Sequence, residues 1–114
     1  NNLEILGDGK QKKPYLHVND LINAIIISWK NSKETLNYFN VGPEDETSVD
    51  KIAHILIEKM DLSSVNISYT GGESGWPGDV PRFSYDNSKI KKLGWTPSFT
   101  SDEAVITAIR ELIK

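Results

Sequence analysis

The stretch LNYFNVGPEDETSVDKIAHILIEKM, Leu36 to Met60, decides the class of fold. Leu36–Val41 is rich in apolar and aromatic side chains and reads as a strand. Gly42-Pro43 and the acidic run Glu44-Asp45-Glu46 break it. Thr47 or Ser48 then offers a hydroxyl N-cap, and Val49, Ile52, Ala53, Leu56, Ile57 and Met60 fall on one face at helical period. A strand that hands over to an amphipathic helix through a short loop is half of an α/β unit.

The flanking chain repeats the pattern. Upstream, Asp20 is a candidate cap for a helix whose stripe is Leu21, Ile22, Ile25, Ile26 and Trp29. Downstream, Thr100-Ser-Asp-Glu103 has the spacing of a capping box ahead of Ala104, Val105, Ala108, Ile109, Leu112 and Ile113. A short helix is expected from Asp86 to a left-handed stop at Gly94. Further strands are expected at Leu3–Leu6, Tyr15–Val18 and Val65–Tyr69. The predicted fold class is therefore α/β: a small mixed domain with short strands, about four helices and bare sheet edges. Such an edge favours pairing with another chain, so a homodimer through the sheet edge is one candidate assembly.

Size and composition set the outer bounds. With 114 residues the chain is one domain or a piece of one, and a net charge of −3 argues against a general nucleic-acid or membrane surface. No cysteine is present, which suits a reducing compartment, and a cytoplasmic location is expected. The longest apolar run, Ala24-Ile25-Ile26-Ile27, is far too short for a bilayer, and no signal peptide opens the chain. Its first residues enter directly into a strand-like segment, as if cut from something larger.

Several residues invite a chemical reading. Tyr85 and Lys89 have the four-residue spacing of a proton-shuttling pair, but that chemistry requires both on one helical face, and Asp86 as cap leaves Tyr85 outside. No catalytic residue is therefore assigned. His17 and His54 lack a second ligand or a nucleophile at useful spacing, so no metal site is expected. The acidic run 44–46 reads as a solvated loop that favours a helix N-terminus. Gly7-Asp-Gly9 followed by Lys10, Lys12 and Lys13 suits an anionic phosphate, as flexible backbone N–H groups stand beside ammonium groups. A second flexible loop, Gly71 to Pro81, carries Trp76 as an aromatic wall and leads to Arg82, a fork for a diphosphate. Trp95, after Gly94, is expected to pack beneath the turn.

Together these segments carry a resemblance. Leu3–Asp20, "NYFNVGPEDETSV", "GDVPRFSYDNSKIKKLGWTP" and the "SDEAV" helix follow the order and spacing of the C-terminal substrate-binding region of extended short-chain dehydrogenases/reductases. Those are NAD-dependent nucleotide-sugar epimerases and dehydratases of the UDP-glucose 4-epimerase kind. The resemblance covers nearly the whole chain, and it implies that residues 1–114 form a nucleotide-sugar-binding domain of a larger enzyme in carbohydrate metabolism. In that family the N-terminal half is a Rossmann domain with the NAD loop and the catalytic Tyr and Lys, and no segment here matches them. NAD is thus expected in the full-length enzyme and not on this chain alone.

The resemblance also implies roles. Glu4, Ile5 and Leu6 match the strand whose backbone reads the base. Lys13 stands where relatives hold an arginine on the diphosphate, and Trp76 occupies the slot of the second such arginine, just before the Gly78-Asp79 pair. Lysine is a point charge rather than a two-toothed fork, so the grip is shared with Arg82. The partners implied are a nucleotide-diphosphate sugar and the Rossmann half. An alternative reading is a non-catalytic binding or dimerising module whose ligand contacts have decayed.

Overall fold

Hydroxyl caps fix the start of two helices. In the computed structural model, which describes all 114 residues, Ser48 Oγ accepts the Lys51 N–H at 3.2 Å, and Thr100 and Glu103 close a reciprocal capping box. In chain order the elements are β1 (Asn2–Ile5), β2 (Lys12–Lys13), α1 (Val18–Asn31), β3 (Thr47–Ser48), α2 (Val49–Lys59), β4 (Asn66–Tyr69), α3 (Ser88–Lys91) and α4 (Ser101–Leu112). The result is a small mixed α/β arrangement of four helices and short strands, as the pattern of the sequence predicts. No helix is long and apolar enough to cross a membrane.

The strands form two separate ladders. β1 and β4 run parallel with Asn2 opposite Asn66 and Ile5 opposite Tyr69, while β2 and β3 pair antiparallel with Lys13 opposite Thr47. Behind them, α4 packs against α2 and buries Ala104, Val105 and Ile109. A second core gathers Ala24 of α1, Ile90 of α3 and Trp95, with Leu16, Ile27, Phe39 and Val41 against it. Trp95 is 1% exposed, and its Nε1–H donates to the Asp20 carbonyl at 3.1 Å. Gly94, at φ +96°, makes the left-handed turn that brings it there, as expected.

Four expectations are corrected. Tyr15–Val18 is not a strand: the Tyr15 N–H goes to Ser101 Oγ, and α1 already begins at Val18. The cap of α1 is His17, whose Nδ1 accepts the Asn19 N–H, rather than Asp20. Asp20 is buried instead, and its carboxylate accepts the N–H groups of Ser98 and Phe99. The helix expected over 86–94 is shorter, α3 at Ser88–Lys91, with Asp86 Oδ1 accepting the Ser88 N–H ahead of it.

Leu36–Val41 is the fourth of these departures. Leu36–Val41 keeps the in-and-out alternation of a strand, with Phe39 and Val41 against the core and Leu36 and Tyr38 exposed. It joins no ladder, because no neighbouring strand lies beside it to take its hydrogen bonds. The same shortage shows on α1. Its stripe of Leu21, Ile22, Ile25, Ile26 and Trp29 is exposed, Trp29 by 81%, and only Ala24 of its apolar residues is fully buried.

Candidate functional site

Parallel pairing of β1 and β4 delivers two glycine turns to the same end of a sheet. β1 runs out through Leu6 to Gly7, and β4 runs out beside it through Thr70 to Gly71. The Gly71 N–H donates to the Gly7 carbonyl at 2.9 Å, and the Gly7 N–H donates to Thr70 Oγ1 at 2.8 Å. Gly7 and Gly71 sit at φ +87° and +83°, a region that suits glycine. A Cβ on Gly7 would also lie 2.6 Å from Gln11 Nε2, so the turn is closed tightly onto that amide. Gln11 is buried: its Nε2 donates to the Leu6 carbonyl at 2.8 Å, and its Oε1 has no partner.

The two loops bound one cleft. Asp8, Lys10 and Gln11 from the first, with Glu73, Pro81 and Arg82 from the second, enclose about 260 Å³. Asp8, Lys10 and Arg82 also border a neighbouring cavity of about 590 Å³, together with Lys12, Asp50 and Tyr69. There the Tyr69 hydroxyl donates to Asp50 Oδ1, and this bond, helped by desolvation, holds the phenol above its ordinary pKa. Gly9 passes so close to the Tyr69 ring that a Cβ would stand 2.7 Å from Cε1.

The residues singled out from the sequence are distributed around this cleft. Arg82 borders both cavities. Lys13 and Asp79 meet each other, Nζ to Oδ1 at 2.5 Å, with the Asp79 side chain only 3% exposed. Asp79 Oδ2 also accepts the Gly75 N–H at 3.0 Å, and the Lys13 contact with this second bond holds its carboxyl below the usual aspartate range. Ile5 is buried, and its carbonyl accepts the Thr70 N–H. The Leu6 carbonyl is taken by Gln11, and Leu6 itself is exposed. Ladder bonds fall on alternate residues, as the Asn66 N–H to Asn1 and Thr70 N–H to Ile5 contacts indicate, so the Glu4 backbone faces the opposite edge of β1. Trp76 lies exposed over Gly78, within its own turn, and borders neither cavity.

Other candidate groups have structural partners. Asp45 Oδ1 accepts the Ser101 N–H at the start of α4, and Glu44 pairs with Lys91. Tyr85 packs edge-on to Phe83 and leans over Gly42, where a Cβ would collide with its ring. Lys89 points elsewhere, its ammonium 4.9 Å from the centre of the Phe39 ring. His17 is buried in the α1 cap against Phe99, and exposed His54 bonds back to the Asp50 carbonyl. Gly7-Asp-Gly9 leads into β2 rather than into a helix N-terminus, so it does not fit the cradle of a dinucleotide.

Gln11, Tyr69 and Asp50 are the members of the site that reading the sequence missed. A lone polar residue inside a basic run carries no pattern, and the Tyr69–Asp50 contact joins the first turn of α2 to the end of β4, a juxtaposition that only folding sets. Asp50 as an acid in the first turn of α2 already has an ordinary explanation.

Comparison with known proteins gives a consistent picture. No family model matches the chain. An uncharacterised protein of Schizosaccharomyces pombe is 31% identical over 94% of this chain and 33% of its own length. A putative UDP-glucose 4-epimerase of Methanocaldococcus jannaschii is 29% identical over 89% of this chain and 31% of its own. The crystal structure of a UDP-galactose 4-epimerase superposes with a TM-score of 0.80 and 32% identity, covering 99% of this chain and 35% of that one. The chain thus spans about a third of the length of the relatives it matches.

Proposed function

This chain belongs to the extended short-chain dehydrogenases/reductases and matches the C-terminal third of epimerase structures, and on that premise we propose that it binds and positions a nucleotide-diphosphate sugar for an NAD-dependent epimerase or dehydratase. One observation carries the reading: the Gly7 and Gly71 turns, far apart in sequence, are hydrogen-bonded together and bound a single cleft, in which Lys10 and Arg82 stand beside Asp8 and Glu73. Backbone N–H groups beside ammonium and guanidinium groups suit a diphosphate. The outward edge of β1 at Glu4 supplies backbone groups for a base, while the Ile5 and Leu6 carbonyls are already taken by Thr70 and Gln11. The Lys13–Asp79 clasp fixes the wall of the second loop, on which Trp76 and Arg82 are mounted.

The chemistry belongs to the rest of such an enzyme. NAD, held by a Rossmann half, supplies oxidation of a sugar carbon and return of the hydride. This chain contributes orientation, which converts a loose encounter into a fixed geometry. The exposed stripe of α1 and the unpaired segment Leu36–Val41 support the partner: both are surfaces that a neighbouring sheet would cover.

Calorimetric titration with UDP-, dTDP- and GDP-sugars tests the proposal. The expected result is binding to at least one of them that weakens as salt rises, with no turnover and no NAD reduction by the chain alone. Absence of binding to all three would overturn it.

A further inference from the structure

We infer that Ser101, the first residue of α4, is a positioning residue for the cleft: it holds the end of β2 at the height where Lys13 reaches Asp79. This inference rests on the nucleotide-sugar reading and goes beyond it, naming a residue outside the cleft on which the ligand's affinity depends.

The Ser101 hydroxyl is not needed by its own helix. The start of α4 is already capped by Thr100 and Glu103, and alanine is the better helix former at such a position. Ser101 is nevertheless fully buried, and a buried hydroxyl is costly unless it is hydrogen-bonded. Its bonds go to the other end of the chain. Ser101 Oγ accepts the Tyr15 N–H at 3.0 Å and lies 3.4 Å from the Lys13 carbonyl. Between those two residues stands Pro14, which has no N–H. The Tyr15 N–H is thus the first backbone donor after β2 by which the strand's end can be tied, and Ser101 takes it.

The serine is itself held from several sides. Thr47 is buried and stands opposite Lys13 in the β2–β3 ladder. Its Oγ1 lies 2.8 Å from Ser101 Oγ and 2.7 Å from Asp102 Oδ1. Asp102 in turn pairs with Lys51 of α2, and Asp45 Oδ1 accepts the Ser101 N–H at 2.9 Å. The backbone of Lys13 is therefore fixed across the ladder by Thr47 and at its exit by Ser101, and both are tied to the first turns of α2 and α4.

At the far end of the lysine is the contact that a shift of β2 would disturb. Lys13 Nζ meets Asp79 Oδ1 at 2.5 Å, and Asp79 Oδ2 accepts the Gly75 N–H, so this clasp sets how closely the second loop approaches the first. The Lys13 side chain stays partly exposed, and an ammonium has three N–H groups, so the bond to Asp79 leaves donors open to a ligand. Charge-assisted bonds are short, and a displacement of about 1 Å is enough to lose one.

The test combines calorimetric titration with UDP-, dTDP- and GDP-sugars and amide NMR on four proteins: the unmodified chain, Ser101→Ala, Lys13→Ala and the double variant. Ser101→Ala is expected to keep its helical circular dichroism, to shift the amides of Gly75 and Asp79 in the other loop, and to weaken the bound sugar nucleotide by about three- to tenfold. In the Lys13→Ala background the same change is expected to cost less than about twofold, because the two residues act through one contact. A merely structural role would lower the urea midpoint with neither effect. Unchanged affinity in Ser101→Ala, or effects that add in the double variant, overturns the inference and leaves the proposed function standing. Should Ser101→Ala fail to fold, Ser101→Cys, which fills similar space with a poor acceptor, replaces it in the cycle. If that variant fails to fold as well, the residue belongs to the scaffold and the inference falls. No binding of any of the three sugar nucleotides to the unmodified chain overturns the nucleotide-sugar reading, and the inference with it.

Discussion

Lys13 and Asp79 join two loops that lie far apart in sequence, and their pairing is sensitive to pH in a defined direction. The Lys13 contact lowers the Asp79 carboxyl pKa, and Lys51 with Thr47 lowers that of Asp102 in the same way. A carboxyl that stays ionised to lower pH when folded contributes stability above the ordinary aspartate value, about 3.9, and loses it as pH falls below. The urea midpoint is therefore expected to be flat above about pH 5 and to drop below about pH 4. Asp79→Asn and Asp102→Asn should each be less stable near neutral pH and show a shallower acid drop; an unchanged profile in both would refute the assignment. Trp95 is the other decisive residue. It is buried at the junction of α1 and α3, so Trp95→Ala is expected to cost about 3–5 kcal/mol in denaturant unfolding. A loss under about 1 kcal/mol would mean that the junction is not the core.

At the scale of elements, the caps and the ladders behave differently. α4 is fixed by contacts within four residues, Thr100 Oγ1 to the Glu103 N–H and Glu103 Oε2 to the Thr100 N–H. Thr100→Ala is expected to destabilise by about 1 kcal/mol, read as a shift in the urea midpoint at constant slope. Leu36–Val41 is the contrary case: its side chains alternate as a strand requires, but its backbone has no ladder partner. Amides in this segment should exchange with solvent as fast as those of an open loop in this chain, while those of α2 and α4 are protected. Slow exchange across residues 37–41 would show that the segment pairs with something after all. Within a protein that also carries the Rossmann half, the same amides are expected to become protected.

The whole molecule is a slab. Its extents are 54 × 33 × 17 Å, and its radius of gyration is 16.8 Å. A compact domain of this length has about 13 Å. Only 18 of 114 residues are buried, while an apolar stripe along α1 faces outward. A molecule this thin gains little from burial on its own, which is the physical sense in which the proposed partner half completes it.

What was legible in the sequence was whatever is decided over a few residues. The capping box at Thr100, the left-handed stop at Gly94, the amphipathic face of α2 and the glycine turns at Gly7 and Gly71 all follow from local sterics and hydrogen bonding, and each stands where its pattern put it. The class of fold follows from the mixing of short strands with helices along the chain.

Tertiary structure decided the rest. It took the α1 cap from Asp20 and gave it to His17, because Asp20 found better donors in the Ser98 and Phe99 N–H groups more than seventy residues away. It left Leu36–Val41 without a ladder, since a strand is completed by a neighbour and not by its own residues. It also sorted a run of three lysines onto two faces, one meeting Asp79 and the others lining a cavity with Tyr69 and Asp50. Periodicity reports which side of an element a residue takes; only the packed chain determines what stands opposite.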